Sequence, residues 1–294
     1  MLLLRVVQQL INGLSIGSIY ALIAVGYSLI YSILQFSNFA HGSFLVIGAY
    51  TGFYVSTAAS MPFIVAVLLA SITAGAMAVA TERVAYRPIR ERNSPTLYFI
   101  IASMGIAIFC EQTIIATIGP KFRTYPRLLS VTSFNLGSAT VAIMDILAAA
   151  LALVFLALLQ YFVARTKIGF AIQAASFDLQ IAGLMGVNVN MLIGLVFFIA
   201  GLLAGLSGVF LGLKYTVYPQ LGYLTIKAFV AAIFGGLGSL PGAIAGSLVL
   251  GVLEAFVAAF ISSQLRDLFV FMLLIVVLLV RPSGLMGKYV EEKV

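Results

Sequence analysis

Eight long apolar stretches, at about 10–33, 43–59, 62–81, 95–118, 141–164, 191–213, 224–260 and 267–280, occupy most of this chain. Most of them approach the roughly 20 residues that a helix needs to cross a hydrocarbon core of about 30 Å. In lipid, every backbone polar group must find a partner within the protein, which restricts spanning structures to helices and closed barrels. The recurrence therefore predicts an all-α fold, a polytopic transmembrane helical bundle of about eight spans forming one domain over residues 1–294. Charge agrees with this. Only 9% of the 294 residues are charged, against roughly a quarter in a soluble domain, and the mean hydropathy is +1.17. That leaves too little polar surface to cover a water-soluble particle. The net charge of +7 then reads as Lys and Arg of cytoplasmic loops, which set orientation, and not as a nucleic-acid surface. The single Cys110 rules out a disulfide framework. The N-terminus has no basic segment ahead of its first apolar run and continues straight into it, so a cleaved signal peptide is not expected.

Two breaks interrupt the apolar pattern. "QFSNFAHG" (35–42) separates the first two runs, and "GGLGSLPGA" (235–243) divides the run 224–260. Gly and Pro lower helix propensity there, and Pro removes a backbone donor. Two short crossings or a re-entrant pair would both fit the second case. Broken backbone at membrane depth survives only when buried in protein or facing a water-filled path. Nine basic residues fall on one expected side: Arg83, Arg87, Arg90, Arg92, Arg165, Lys167, Arg281, Lys288 and Lys293. The loop 119–140, with Lys121, Arg123, Arg127, Gly119, Pro120, Pro126 and Gly137, is placed on the other. With 82–93 inside, parity puts 165–190 inside, and the C-terminus too if 224–260 crosses twice.

The stretch "AIQAASFDLQIAGLMGVNVN" (171–190) decides what the inside face is for. Read as a span over 168–187, its eight Leu, Ile, Val and Phe residues offer roughly −2.4 to −4.8 kcal/mol. A central Asp178 costs about +2.5 to +3.5 kcal/mol on the same scale. Two glutamines, a serine and three glycines oppose insertion further, so the segment stays out of the bilayer. On a helical wheel Phe170, Phe177, Ile181 and Leu184 cluster with Ala174, beside a row made of Ala174, Asp178 and Ala182. Such a helix could lie in the interface or dock into a groove of a partner subunit. The residues alone leave both open.

Five segments occur in a fixed order: "GSIYALIAVGYSLIYSILQFSNFAHGSFLVIGAY" (17–50), "ERVAYRPIR" (82–90), "AASFDLQIAGLMGVNVN" (174–190), "KAFVAAIFGGLGSLPGAIAGSLVLGVLE" (227–254) and "RPSGLMG" (281–287). Together they resemble LivH-like permease subunits of bacterial ABC importers for branched-chain amino acids, over nearly the whole chain. The resemblance implies a multi-pass protein of the bacterial inner membrane, paired with a second, LivM-like permease subunit. It also implies two ATP-binding cassette subunits, which carry ATP and Mg, and a periplasmic solute-binding protein that delivers the cargo. The loop of about 165–190 becomes the coupling segment, with Phe170, Ala174, Ala175, Phe177, Asp178, Ile181, Ala182 and Gly186 on its short cytoplasmic helix. The general importer pattern has Glu-Ala-Ala followed by Gly four positions later. Here Gln173, Ala174 and Ala175 stand first, and position 179 is Leu.

No nucleotide loop of the form G-x-x-x-x-G-K-[ST] occurs, so ATP use requires a separate subunit. One His and one Cys assemble no catalytic set or metal site, so neither enzyme chemistry nor a cofactor on this chain is expected. The lone His41 reads first as a hydrogen-bonded residue that steadies the break with Asn38, and second as part of a pathway. Gly235, Gly236 and Gly238 read as a hinge. Glu111, Glu254, Asp145 and Asp267 lie in or beside apolar runs, where acids default to functional candidates. Glu111 and Glu254 are the deeper pair; each could pair with a basic group or an amide, contribute to the pathway or to conformational coupling, or carry protons in a secondary transporter. A passive channel, or a relative that moves urea or amides, also fits. The glycine rows at 201, 205, 208 and 212, and at 242 and 246, have the spacing of close helix packing.

Overall fold

The computed structural model describes residues 2–59, 61–126, 133–136 and 139–287. Arg127, Gly137, Lys288 and Lys293, used above for orientation, lie outside the described residues. Helix α1 (Leu2–Leu34) comes first, followed by α2 (His41–Thr57) and α3 (Phe63–Thr81). A π-helical turn (Glu82–Tyr86) carries α3 into the short α4 (Arg87–Glu91), and α5 (Thr96–Ile118) follows. Strands β1 (Ser133–Leu136) and β2 (Ala139–Ala142) pair antiparallel within the loop expected to lie outside, with Ser133 opposite Ala142. Next come α6 (Ile143–Arg165), α7 (Lys167–Phe177), α8 (Leu179–Leu184) and α9 (Val189–Lys214). After a 3-10 turn (Pro219–Leu224), the chain forms α10 (Thr225–Gly235), α11 (Leu240–Phe260) and α12 (Arg266–Val280).

Among the described residues, seven helices are long and apolar enough to cross a membrane. The expected eighth, over 43–59, is α2, which has 17 residues and is buried on nearly every face. A helix that is apolar all round belongs inside a bundle. The 224–260 run divides at the expected Gly/Pro break. Its first piece, α10, has 11 residues and reaches about 16 Å at 1.5 Å per residue, too short to cross alone.

The chain divides into two compact units. One holds Met1–Ser28, Leu129–Val154 and Ile226–Val294, and the other holds Leu29–Leu128 and Phe155–Thr225. In the second, α9 packs between α2 and α3. Gly48 lies on Gly205 and Gly52 on Val209, so α2 and α9 run parallel. Gly201 meets Ala74 to Ala78 and Gly205 meets Ala70 to Ala74, so α3 runs antiparallel. A side chain at Gly48 or Gly205 would collide with the facing backbone. Lipid tails are as apolar as Leu, so this close approach and its dispersion contacts hold the helices together. Tyr125 closes the unit by donating its hydroxyl to the Ala49 carbonyl at 2.9 Å. Burial pushes that phenol up, which keeps it a donor.

In the first unit, α1 and α11 cross at Gly13, Gly17 and Gly251, again backbone on backbone. Gly235 on Gly242 and Ala231 on Gly246 fold α10 antiparallel onto α11. The "RPSGLMG" segment completes the joint. Leu285 N–H donates to Phe234 O and Met286 N–H to Gly235 O, both at 2.9 Å. These bonds satisfy the last carbonyls of α10, which a helix end leaves orphaned.

Candidate functional site

The segment after α6 forms a capped elbow of two short helices, where one continuous helix was expected. Thr166 opens α7, its Oγ1 accepting from Gly169 N–H at 3.0 Å. Gly169 lies against the Phe162 and Val163 carbonyls with no room for a Cβ. Gln173 Nε2 donates to the Val163 carbonyl at 2.7 Å. The end of α6 is thereby satisfied by the start of α7, and the chain turns sharply. At Asp178 the backbone becomes extended, at φ −159° and ψ 118°. The carboxylate Oδ1 accepts from Gln180 N–H at 2.7 Å and Ile181 N–H at 2.9 Å, as a helix N-cap does.

The far end of the elbow is as closely determined. Val187 N–H donates to Ala182 O and Gly186 N–H to Gly183 O, with Gly186 at φ +90°. That pair of bonds is a Schellman ending, and its left-handed residue favours glycine. Asn188 then caps α9 by accepting from Met191 N–H at 3.1 Å. Asp178 and Gly186 thus shape the segment from within. Ala175 and Ala182, both expected on the coupling helix, are buried at 2% exposure each, so they pack inward; of the two, the wheel had set only Ala182, beside the outward stripe. The wheel also assumed one helix axis, whereas the axis turns at Asp178. Phe170, Ala174, Phe177, Ile181 and Leu184 are exposed, Leu184 at 87%, and Met185 joins them at 81%.

The basic segment 82–93 meets the start of α9, just beyond this elbow. Arg90 donates from Nη2 to Asn190 Oδ1 at 2.7 Å, and its Nη1 pairs with the buried Glu82 at 3.0 Å. Residues 82–93 and the start of α9 therefore share one end of their unit, while the Arg123–Val217 backbone pair lies at the other end of α9. This agrees with the expected parity of the two loops.

The break at 35–42 lies deep in the same unit. By the register of α2 on α9, His41 is level with Phe198, nine residues into α9, or about 13 Å from its start. Asn38 is 1% exposed and His41 0%. Asn38 Oδ1 accepts from Ala40 N–H at 3.1 Å and from the Tyr86 hydroxyl at 2.7 Å. Its Nδ2 has no acceptor among the described residues, a condition that costs about 1–3 kcal/mol. His41 N–H donates to Asn38 O at 3.2 Å, and its ring stands edge-on to Phe44. A second irregular stretch, Pro219–Leu224, reaches the same place, with Gly222 against Gly42. Beside it, Gln220 Nε2 donates to Glu111 Oε1 at 2.8 Å. Two irregular backbone segments meeting at membrane depth mark a place where a polar path can be lined.

In the other unit, Gly236 (φ +109°) and Gly238 (φ +84°) turn the chain from α10 into α11. Glu254 is 3% exposed and fully engaged. Tyr20 donates its hydroxyl to Oε2 at 2.9 Å, and Lys227 Nζ lies 2.5 Å from Oε1. Lys227 also pairs with Asp267 at 2.6 Å. Among the described residues no group of three or more His, Cys, Asp and Glu could hold a metal ion. Sequence reasoning did not single out Thr166, Gly169, Tyr86, Asn190 or Lys227. Thr166 just ahead of an apolar helix was a readable N-cap signal. The contacts of Tyr86 and Asn190 join residues 48 and 100 positions apart, and no local pattern announces them.

Comparison with known proteins gives a consistent set of likenesses. The family described as "Branched-chain amino acid transport system / permease component" matches residues 9–278. The chain is 39% identical to the high-affinity branched-chain amino acid transport system permease protein BraD of Pseudomonas aeruginosa, over 98% of this chain and 97% of that one. It is 38% identical to the corresponding protein LivH of Escherichia coli, with the same coverage. Among solved structures, PsaBC from Streptococcus pneumoniae in complex with Fab aligns with 92% of this chain and 91% of that one, at 16% identity and a TM-score of 0.49.

Proposed function

Because the chain belongs to the family of branched-chain amino acid transport system permease components, we propose that it is the membrane-spanning subunit of an ATP-driven importer. Its cargo is a branched-chain amino acid, as the names of its relatives BraD and LivH indicate for those proteins. In this reading residues 1–294 act as one permease domain in the bacterial inner membrane, beside a second, LivM-like permease subunit. A periplasmic binding protein delivers the cargo. Two ATP-binding cassette subunits bind ATP and Mg and hydrolyse the nucleotide, while this chain carries out no chemistry.

The observation that carries the reading is the capped elbow. Its fold is determined by Thr166, Asp178, Gly186 and Asn188, while Phe170, Phe177, Ile181, Leu184 and Met185 are exposed. A rigid segment with apolar side chains on a charged loop end suits a partner's groove better than water. Rigidity matters, because a flexible segment would absorb the motor's motion instead of passing it to the spans. The break where Asn38, His41 and Gly222 meet supplies the pathway's irregular backbone, with Glu111 beside it. The proton-coupled alternative is weakened by Glu254, whose carboxylate is occupied by Lys227 and Tyr20.

The test is co-purification. Phe177→Asp and Leu184→Asp should each lower the amount of ATPase recovered with the detergent-extracted complex at least tenfold, as expected when a central apolar contact worth about 2 kcal/mol is lost. The helical content of the subunit should be unchanged. Full recovery of the ATPase with both variants contradicts the docking role.

A further inference from the structure

We propose that Arg90 and Tyr86 are positioning residues that carry displacement of the elbow to the broken foot of α2, which opens the pathway. This rests on the importer reading above. The chain of contacts is continuous and lies within one compact unit. The elbow ends at Gly186, two residues before the α9 cap Asn188. Asn190 in the first turn of α9 holds Arg90 Nη2 at 2.7 Å, and Arg90 Nη1 lies 3.0 Å from Glu82. Glu82 opens the π-helical turn and Tyr86 closes it. The Tyr86 hydroxyl then donates to Asn38 Oδ1 at 2.7 Å, the same atom that accepts from Ala40 N–H at the start of α2. Glu82, Tyr86 and Asn38 are 1%, 0% and 1% exposed, so water does not compete along the inner part of the route.

Contiguity alone does not make a transmission line; the element it reaches must have a second arrangement. Three observations supply one. A π turn holds one more residue than an α turn, so its return to α geometry rotates the chain beyond it by about 100°. Gln35, at the other side of the break, sits at φ +52°, an uncommon conformation for a residue with a side chain. Asn38 keeps a buried Nδ2 donor without an acceptor among the described residues, so this state leaves hydrogen-bonding capacity for another. Motion of the elbow that pulls Arg90 away from Glu82 lets the turn relax, withdraws the Tyr86 hydroxyl and frees Asn38. The foot of α2 then separates from the Gly222 turn, where backbone now lies on backbone.

Tyr86→Phe removes the single hydroxyl and keeps the ring that packs on Phe36 and Phe197. In the complete importer, reconstituted with its binding protein, the readout is labelled leucine transported per ATP hydrolysed. Tyr86→Phe and Arg90→Ala should lower that ratio at least fivefold. ATPase co-purification should match the parent in both variants, Tyr86→Phe should also keep the parental melting temperature, and Arg90→Lys should restore part of the ratio. An unchanged ratio in Tyr86→Phe, or a proportional fall in uptake and hydrolysis, overturns the transmission role. Uptake by the parent complex that ignores ATP would instead overturn the importer reading itself.

Discussion

Within this chain Asp178 serves as an oxygen acceptor. Its carboxylate receives two backbone N–H groups at the start of α8, a task that Asn performs about as well, whereas Ala forfeits about 1 kcal/mol. Asp178→Asn should therefore support parental leucine uptake, and Asp178→Ala should loosen residues 179–184. The check is faster hydrogen exchange at those amides, together with weaker ATPase binding. Equal loss in both variants would make the charge a partner contact instead. The residue was legible as a polar interruption that keeps the segment out of lipid. It was not legible as a cap, because a wheel drawn over 168–187 presupposes that no cap lies inside it. Tyr86 and Asn190 were invisible for a different reason: their partners are set by how α2, α3 and α9 pack, which no local pattern encodes.

The elements divide into those that hydropathy marks and those that packing decides. Long apolar runs read directly as spans, since the bilayer tests composition locally. The glycine rows of α9 and α11 were legible as close contacts, and the structure supplies their partners on α2, α3 and α10. The half-helix α10 was legible only as a broken run. Besides its glycine contacts with α11 and the backbone bonds from Leu285 and Met286, a buried charge pair ties it down, Lys227 with Glu254, joined by Asp267 on α12. Removing one member of such a pair strands the other, at a cost of about 3–5 kcal/mol. Lys227→Met, which strands the buried Glu254, should destabilise the detergent-solubilised protein by that order, and Lys227→Met/Glu254→Leu together should recover at least half of the loss. The melting temperatures of the two variants decide it. A double variant no better than the single one would show that the tie does not act as a pair.

At the scale of the whole molecule, a helical, multi-pass permease follows from the apolar periodicity and from the family to which the chain belongs. The transport reading asks the molecule to do three things. It must expose a stiff elbow at one end of its spans, keep irregular backbone at membrane depth, and hydrolyse nothing itself. The first two are built from named residues, and the third assigns the energy source to a partner. The decisive measurement is labelled leucine uptake into proteoliposomes that hold the complete complex and its binding protein. One set contains ATP and Mg with the proton gradient collapsed, and the other lacks nucleotide but has an imposed proton gradient. Accumulation in the first set alone is the predicted result; accumulation driven by the gradient without nucleotide would contradict it.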